Sequence, residues 1–159
     1  MQNLITKKDL EIGYEHLKVI IDAFIKDNDI SFISSDLAPN TFKDMKGYYE
    51  DFNQFLVYSG GDHGFLGQEY NVKFRALHDF MHLDNNLTFK FEDEKKLSDI
   101  TKVEFSQIAW DDMYCTAWEC HVIREIVNAE IRGQIEYYEV NKEYVVDQTK
   151  FIEDYLQVC

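Results

Sequence analysis

Proline is almost missing from this chain: Pro39 is the single one in 159 residues. With so few positions that lock φ and remove a donor, helices are free to run long. Glycine is nearly as sparse, and four of the seven crowd into Gly60-Gly61-Asp62-His63-Gly64-Phe65-Leu66-Gly67, so one loop holds most of the backbone freedom. Positive charge is scarce too, 16 Lys+Arg against 30 Asp+Glu for a formal net charge of −14. That balance argues against binding nucleic-acid backbones or anionic membranes, which require clustered Lys and Arg. Apolar runs are short, as in Val19-Ile20-Ile21, far below the roughly 20 residues that cross a bilayer. The N-terminal residues lack the order of a signal peptide. The three cysteines, Cys115, Cys120 and Cys159, have no CxxC spacing and fit reduced thiols. These absences together predict a cytoplasmic protein.

What remains is a composition of 45% hydrophobic and 15% aromatic residues, enough for an ordinary core in one domain spanning residues 1–159. Apolar residues from Leu10 to Ile25 recur at helical spacing and predict a helix over about residues 7–27. Thr41 can cap a second helix whose stripe would run from Phe42 through Met45, Tyr49 and Phe52 to Phe55 and Leu56. A third is predicted over 69–83, stopped by Asp84-Asn85-Asn86. Leu87 to Phe91 alternates as a short strand or extended link would. The longest helix is expected from Asp111 to about Asn141, and a last one from Tyr144 to Leu156. The fold class is therefore all-α: a bundle of five or six helices with at most one short strand or hairpin.

The chemistry concentrates in Phe74-Arg75-Ala76-Leu77-His78-Asp79-Phe80-Met81-His82. His78 and His82 stand one helical turn apart, so both imidazoles can reach one metal ion; the ordinary alternative is a pair of core or solvated histidines. Periodicity in the long helix places Glu130 on the same stripe as Ile123, Ile126 and Val127. An inward carboxylate needs a cation, hydrogen bonds or a proton. A metal on His78 and His82 would supply that need, and so would an ion pair with Arg75. Glu94 follows the link and can fold back over the C-terminal end of the histidine helix, although acidic runs such as Glu92-Asp93-Glu94 are usually solvated. Asp79 is a candidate ligand, proton acceptor or exposed helix residue. Gln134, one turn after Glu130, can hydrogen-bond a carboxylate or a substrate. The glycine loop lacks the Gly-Lys-Ser/Thr ending of a phosphate-cradling loop and is expected to be a mobile connection or lid.

Phe74-Arg75-Ala76-x-His78-Asp79 with His82, then Phe89 and Glu94, then Glu130-Ile131-Arg132-Gly133-Gln134, resembles the pattern of a small, largely uncharacterised family encoded by bacteriophages. The resemblance covers about residues 40–138. It departs at Asp93, where glycine is usual, and in a longer spacing between Glu94 and Glu130. It implies that His78, Asp79, His82, Glu94, Glu130 and Gln134 belong to one site. It also gives Gly133 a reason, a close backbone approach.

The sequence-based expectation is a metal-dependent hydrolase with its site between the 69–84 and 111–141 helices. His78, His82 and Glu130 would hold a divalent Zn, Mn or Fe ion. Glu130, Glu94 and Asp79 would serve catalysis, and Arg75 and Gln134 would bind a small-molecule or nucleotide substrate. Ala76-Leu77-His78-Asp79 also resembles the central doublet of the His-Asp phosphohydrolases, which need a further His and Asp. A di-iron bundle expects Glu-x-x-His elements, and the chain has none. The reading from another class is an acidic, non-catalytic interaction protein that meets a basic protein partner through its charge, such as a nucleic-acid mimic or an inhibitor of a host enzyme.

Overall fold

The structure, a computed structural model, describes residues 4–159. Helix α1 (Lys7–Asp27) starts at a reciprocal capping box in which Thr6 and Asp9 satisfy each other's backbone N–H groups. It buries Leu10, Tyr14, Leu17, Ile20, Ile21 and Phe24 along one face. Strand β1 (Phe32–Ser35), helix α2 (Phe42–Phe52) and strand β2 (Phe55–Tyr58) follow. α2 begins at Thr41, as the sequence predicts, and stops at Asn53, whose φ of 53° is left-handed. That stop moves Phe55 and Leu56 from the expected helical stripe into β2. The strands pair in parallel, Phe32 opposite Phe55 through Ser35 opposite Tyr58, with α2 as the crossover that parallel pairing requires.

Helix α3 (Gly67–Asp84) carries the histidines, and α4 (Phe91–Asp111) packs beyond it. The sequence reading does not assign α4. Its apolar stripe of Leu97, Thr101, Phe105 and Ala109 includes a buried threonine, and Ser98 beside it is buried as well, so its periodicity is weak. Residues 87–90 form the link and not a strand. The long element expected from residue 111 starts later, at Thr116, which caps α5 (Ala117–Asn128) with Glu119 in a second capping box. It continues through a π-helical turn, Ala129–Gly133, into α6 (Gln134–Asn141). Helix α7 (Gln148–Tyr155) starts four residues later than expected, where Asp147 accepts from the Lys150 N–H. Counting the α5–π–α6 segment as one continuous rod, the described residues form six helical rods and a two-stranded sheet. Their buried apolar side chains make a connected cluster reaching from α1 to α7. Among the described residues, no helix is long and apolar enough to cross a membrane.

Candidate metal centre

At 100° per residue, His78, His82, Arg75 and Asp79 fall within an arc of about 100° on α3. The turn that follows folds back tightly. Thr88 donates to Asp93 Oδ2 through its N–H (2.9 Å) and its hydroxyl (2.7 Å). Glu92, Asp93 and Glu94 all sit in the first turn of α4, where the helix dipole favours negative charge. Glu94 thereby reaches both histidines: His82 Nε2 is 2.7 Å from Oε1 and His78 Nε2 is 3.1 Å from Oε2. The two Nε2 atoms are 3.1 Å apart. His78, His82 and Glu94 form a group that could hold a metal ion.

The orientation of His82 is fixed from behind. Its Nδ1 lies 2.9 Å from the Leu87 carbonyl oxygen, which can only accept, so Nδ1 carries the proton. The Leu87 N–H donates back to the His82 carbonyl at 2.9 Å, and Phe89 packs edge-on against the ring at 4.7 Å. In the neutral ring the Nε2 lone pair then points at a carboxylate and at a second imidazole nitrogen. Three electron-rich atoms so placed require a cation or a proton between them. A backbone carbonyl on the far nitrogen is also how metal-ligating histidines are commonly held.

Without a metal, the electrostatics resolve into an ion pair. Burial opposes charge on Glu94, but the two histidines hold its carboxyl down at about 2. Burial also opposes charge on His82, yet Glu94 raises its pKa above the ordinary histidine value. Burial lowers His78 despite the pull of Glu94. Burial pushes Asp79 up to about 7, and hydrogen bonds do not offset it. The His82 side chain is fully buried, whereas that of His78 keeps 20% exposure, so the group opens to solvent on the His78 side.

Glu130, expected as the third ligand, lies elsewhere. It sits in the π turn, where an extra residue shifts the phase of the helix, and it is buried as predicted, but its partners are hydrogen-bond donors. Tyr14 Oη donates to Oε1 at 2.6 Å, and Gln134 Nε2 donates to Oε2 at 3.1 Å. His63 Nε2 lies 2.5 Å from Oε1. Because His63 Nδ1 accepts from the backbone N–H groups of Phe65 and Leu66, both at 3.2 Å, Nε2 carries the proton and donates. Three donors satisfy this carboxylate without a metal, and its presence raises the Tyr14 pKa well above the ordinary value, after the larger effect of burial. In the group that could hold a metal, Glu94 thus stands where Glu130 is expected, and the group lies between α3 and α4 rather than between the 69–84 and 111–141 helices.

The glycine loop, expected to be mobile, is tied down through His63. Arg75 does not pair with Glu130. Its Nη1 donates to the carbonyls of Tyr58 (2.7 Å) and Gly60 (2.6 Å). Gln134 bonds a carboxylate, Glu130, as its spacing allows. Gly133 meets the close approach expected of it, since a Cβ there would lie 3.0–3.2 Å from the Tyr155 ring. Sequence reasoning misses Tyr14 and Leu87. Tyr14 reads as one more core aromatic, and a backbone carbonyl leaves no mark in a sequence.

The fold and the group define a helical bundle with a small parallel sheet and a two-histidine, one-carboxylate constellation able to hold a metal ion. No protein-family model matches the chain, and no curated protein or solved structure shows significant similarity to it.

Proposed function

We propose that His78, His82 and Glu94 bind a divalent ion and that the protein is a metal-dependent hydrolase acting on a small or nucleotide-like substrate. The observation that carries this reading is the convergence of three ligand atoms around His82, whose proton-bearing nitrogen is committed to Leu87. Glu130 has no part in the ligand set. An ion held by these three residues would lower the pKa of a bound water and polarise a carbonyl or phosphoryl oxygen. Asp79, next to His78 in the chain, would take the proton from that water. Two imidazoles and one carboxylate are donors that suit Zn, Mn or Fe alike.

The same ligand set also supports a second reading, because two histidines and one carboxylate are the donors of non-haem Fe(II) oxygenases. Chelator-stripped protein reloaded separately with Zn²⁺, Mn²⁺ or Fe²⁺ separates the two. The hydrolase reading expects phosphoester or amide cleavage without oxygen, abolished in His82→Ala. Turnover confined to Fe²⁺ with oxygen would replace it by the oxygenase. No turnover with any ion, together with tight binding to a basic protein, would replace it by the acidic interaction protein.

A further inference from the structure

β2 ends at Tyr58 and runs directly into the glycine loop, at the carboxyl end of the parallel pair, where ligands bind in open parallel sheets. The backbone N–H groups of Gly60, Gly61, Asp62 and His63 donate to no described residue. Arg75 commits only Nη1 to the Tyr58 and Gly60 carbonyls, which leaves Nε and Nη2 without a described acceptor. Gly61 is left-handed, with φ +91°, and a Cβ added to it would lie 2.9 Å from Arg75 Nη2 and 3.3 Å from Gln148 Nε2. Two side-chain donors are therefore packed directly against the backbone of Gly61, in the space a side chain would need. Gln148 is itself buried and spends one amide hydrogen on the Asp62 carbonyl at 3.3 Å. Gly61 and Asp62 are exposed and Gly60 and Arg75 are partly so, so this end of the loop is open to solvent while Gln148 lies beneath it.

We propose that Gly60–Asp62, Arg75 and Gln148 form a subsite for a phosphate-type oxyanion. Successive backbone N–H groups and a guanidinium are the donors that such an anion takes, and a side chain at residue 61 would fill the approach. The Asp62 carboxylate opposes binding, and so does Glu130, which acts electrostatically on Arg75. His78 and Asp79 follow Arg75 by three and four residues, about one turn of α3. The subsite would thus hold a non-reacting phosphate of a substrate whose scissile bond, a separate ester or amide linkage, is presented to the metal centre. That last step rests on the function proposed above; the anion site itself does not.

The test is titration of inorganic phosphate into the full chain after chelator treatment, followed by calorimetry, so that no metal competes for the anion. Saturable one-to-one binding is expected, weakened at least about tenfold in Arg75→Gln and in Gln148→Glu and tightened about threefold in Asp62→Asn. Arg75 also clamps the end of β2, so if Arg75→Gln unfolds, the opposite responses of Gln148→Glu and Asp62→Asn decide. Absence of saturable binding, or equal affinity in those two variants, overturns the subsite. His82→Ala is expected to bind phosphate as the wild type does. Phosphate binding that appears only with added metal and vanishes in His82→Ala would place the anion on the ion and refute the subsite, while sparing the metal reading.

Discussion

Two buried carboxylates, Glu94 and Glu130, each meet histidine, and they differ in what else surrounds them. Glu130 receives a phenol, an amide and an imidazole N–H, all donors, so its oxygens are satisfied by hydrogen bonds alone. Glu94 meets two imidazole nitrogens, one of them on a ring whose other nitrogen donates its proton to a carbonyl behind it. The first arrangement is closed and binds three distant segments together: α1, the glycine loop and the π turn. The second sets two imidazole nitrogens and a carboxylate against one another beside solvent, an arrangement held together by a proton or by a cation. A buried carboxylate next to histidine is thus no sign of a metal; what distinguishes the two is where the far nitrogen of the ring sends its proton.

The largest effect that would break this comparison comes from Glu94→Ala. It removes an anionic ligand and is expected to weaken Mn²⁺ or Fe²⁺ affinity by at least about a hundredfold in calorimetric titration, and unchanged affinity would remove Glu94 from the centre. Glu130→Ala strands the Tyr14 hydroxyl, the His63 N–H and the Gln134 amide in the interior. It is expected to cost about 3 kcal/mol in urea unfolding while leaving metal affinity within about twofold, and a loss of metal would merge the two regions into one. Phe89→Ala removes the ring that holds the His82 imidazole edge-on, and about a tenfold loss of metal affinity is expected. A large stability loss with metal binding intact would assign Phe89 to packing alone. Smallest is Gly133→Ala. The gain of about 1 kcal/mol in helix propensity competes with displacement of the Tyr155 ring, which lies near the surface and can give way. Thermal unfolding is expected to move by less than about 1 kcal/mol equivalent, and a larger fall would make α7 docking at the π turn a major stabiliser.

The histidine helix, α1 and the cap at Thr41 were readable from the sequence because their periodicity and capping residues are local. Glu130 was rightly placed inward by its phase with Ile123, Ile126 and Val127, but phase says nothing of what lies opposite. Its partners Tyr14 and His63 come from segments 116 and 67 residues away. Helix α4 escaped notice because its buried face includes Glu94, Ser98 and Thr101, polar residues that blur a hydrophobic stripe. With α4 unassigned, Glu94 could be given a place over the end of α3 and no partner atom. The strands were hidden by their length of four residues each, too short for alternation to speak against the helical stripe from Phe42 to Leu56. The π turn has no sequence signature beyond Gly133.

The central claim, that the ligand carboxylate is Glu94 and not Glu130, is tested most directly by elemental analysis. Wild type, Glu94→Gln and Glu130→Gln would be purified side by side without chelator or metal-affinity resin and then equilibrated with micromolar Zn²⁺, Mn²⁺ or Fe²⁺. The account predicts one ion per chain in wild type and Glu130→Gln and less than about a tenth of that in Glu94→Gln. Metal absent from the wild type with all three ions, or retained in Glu94→Gln and lost in Glu130→Gln, would contradict it.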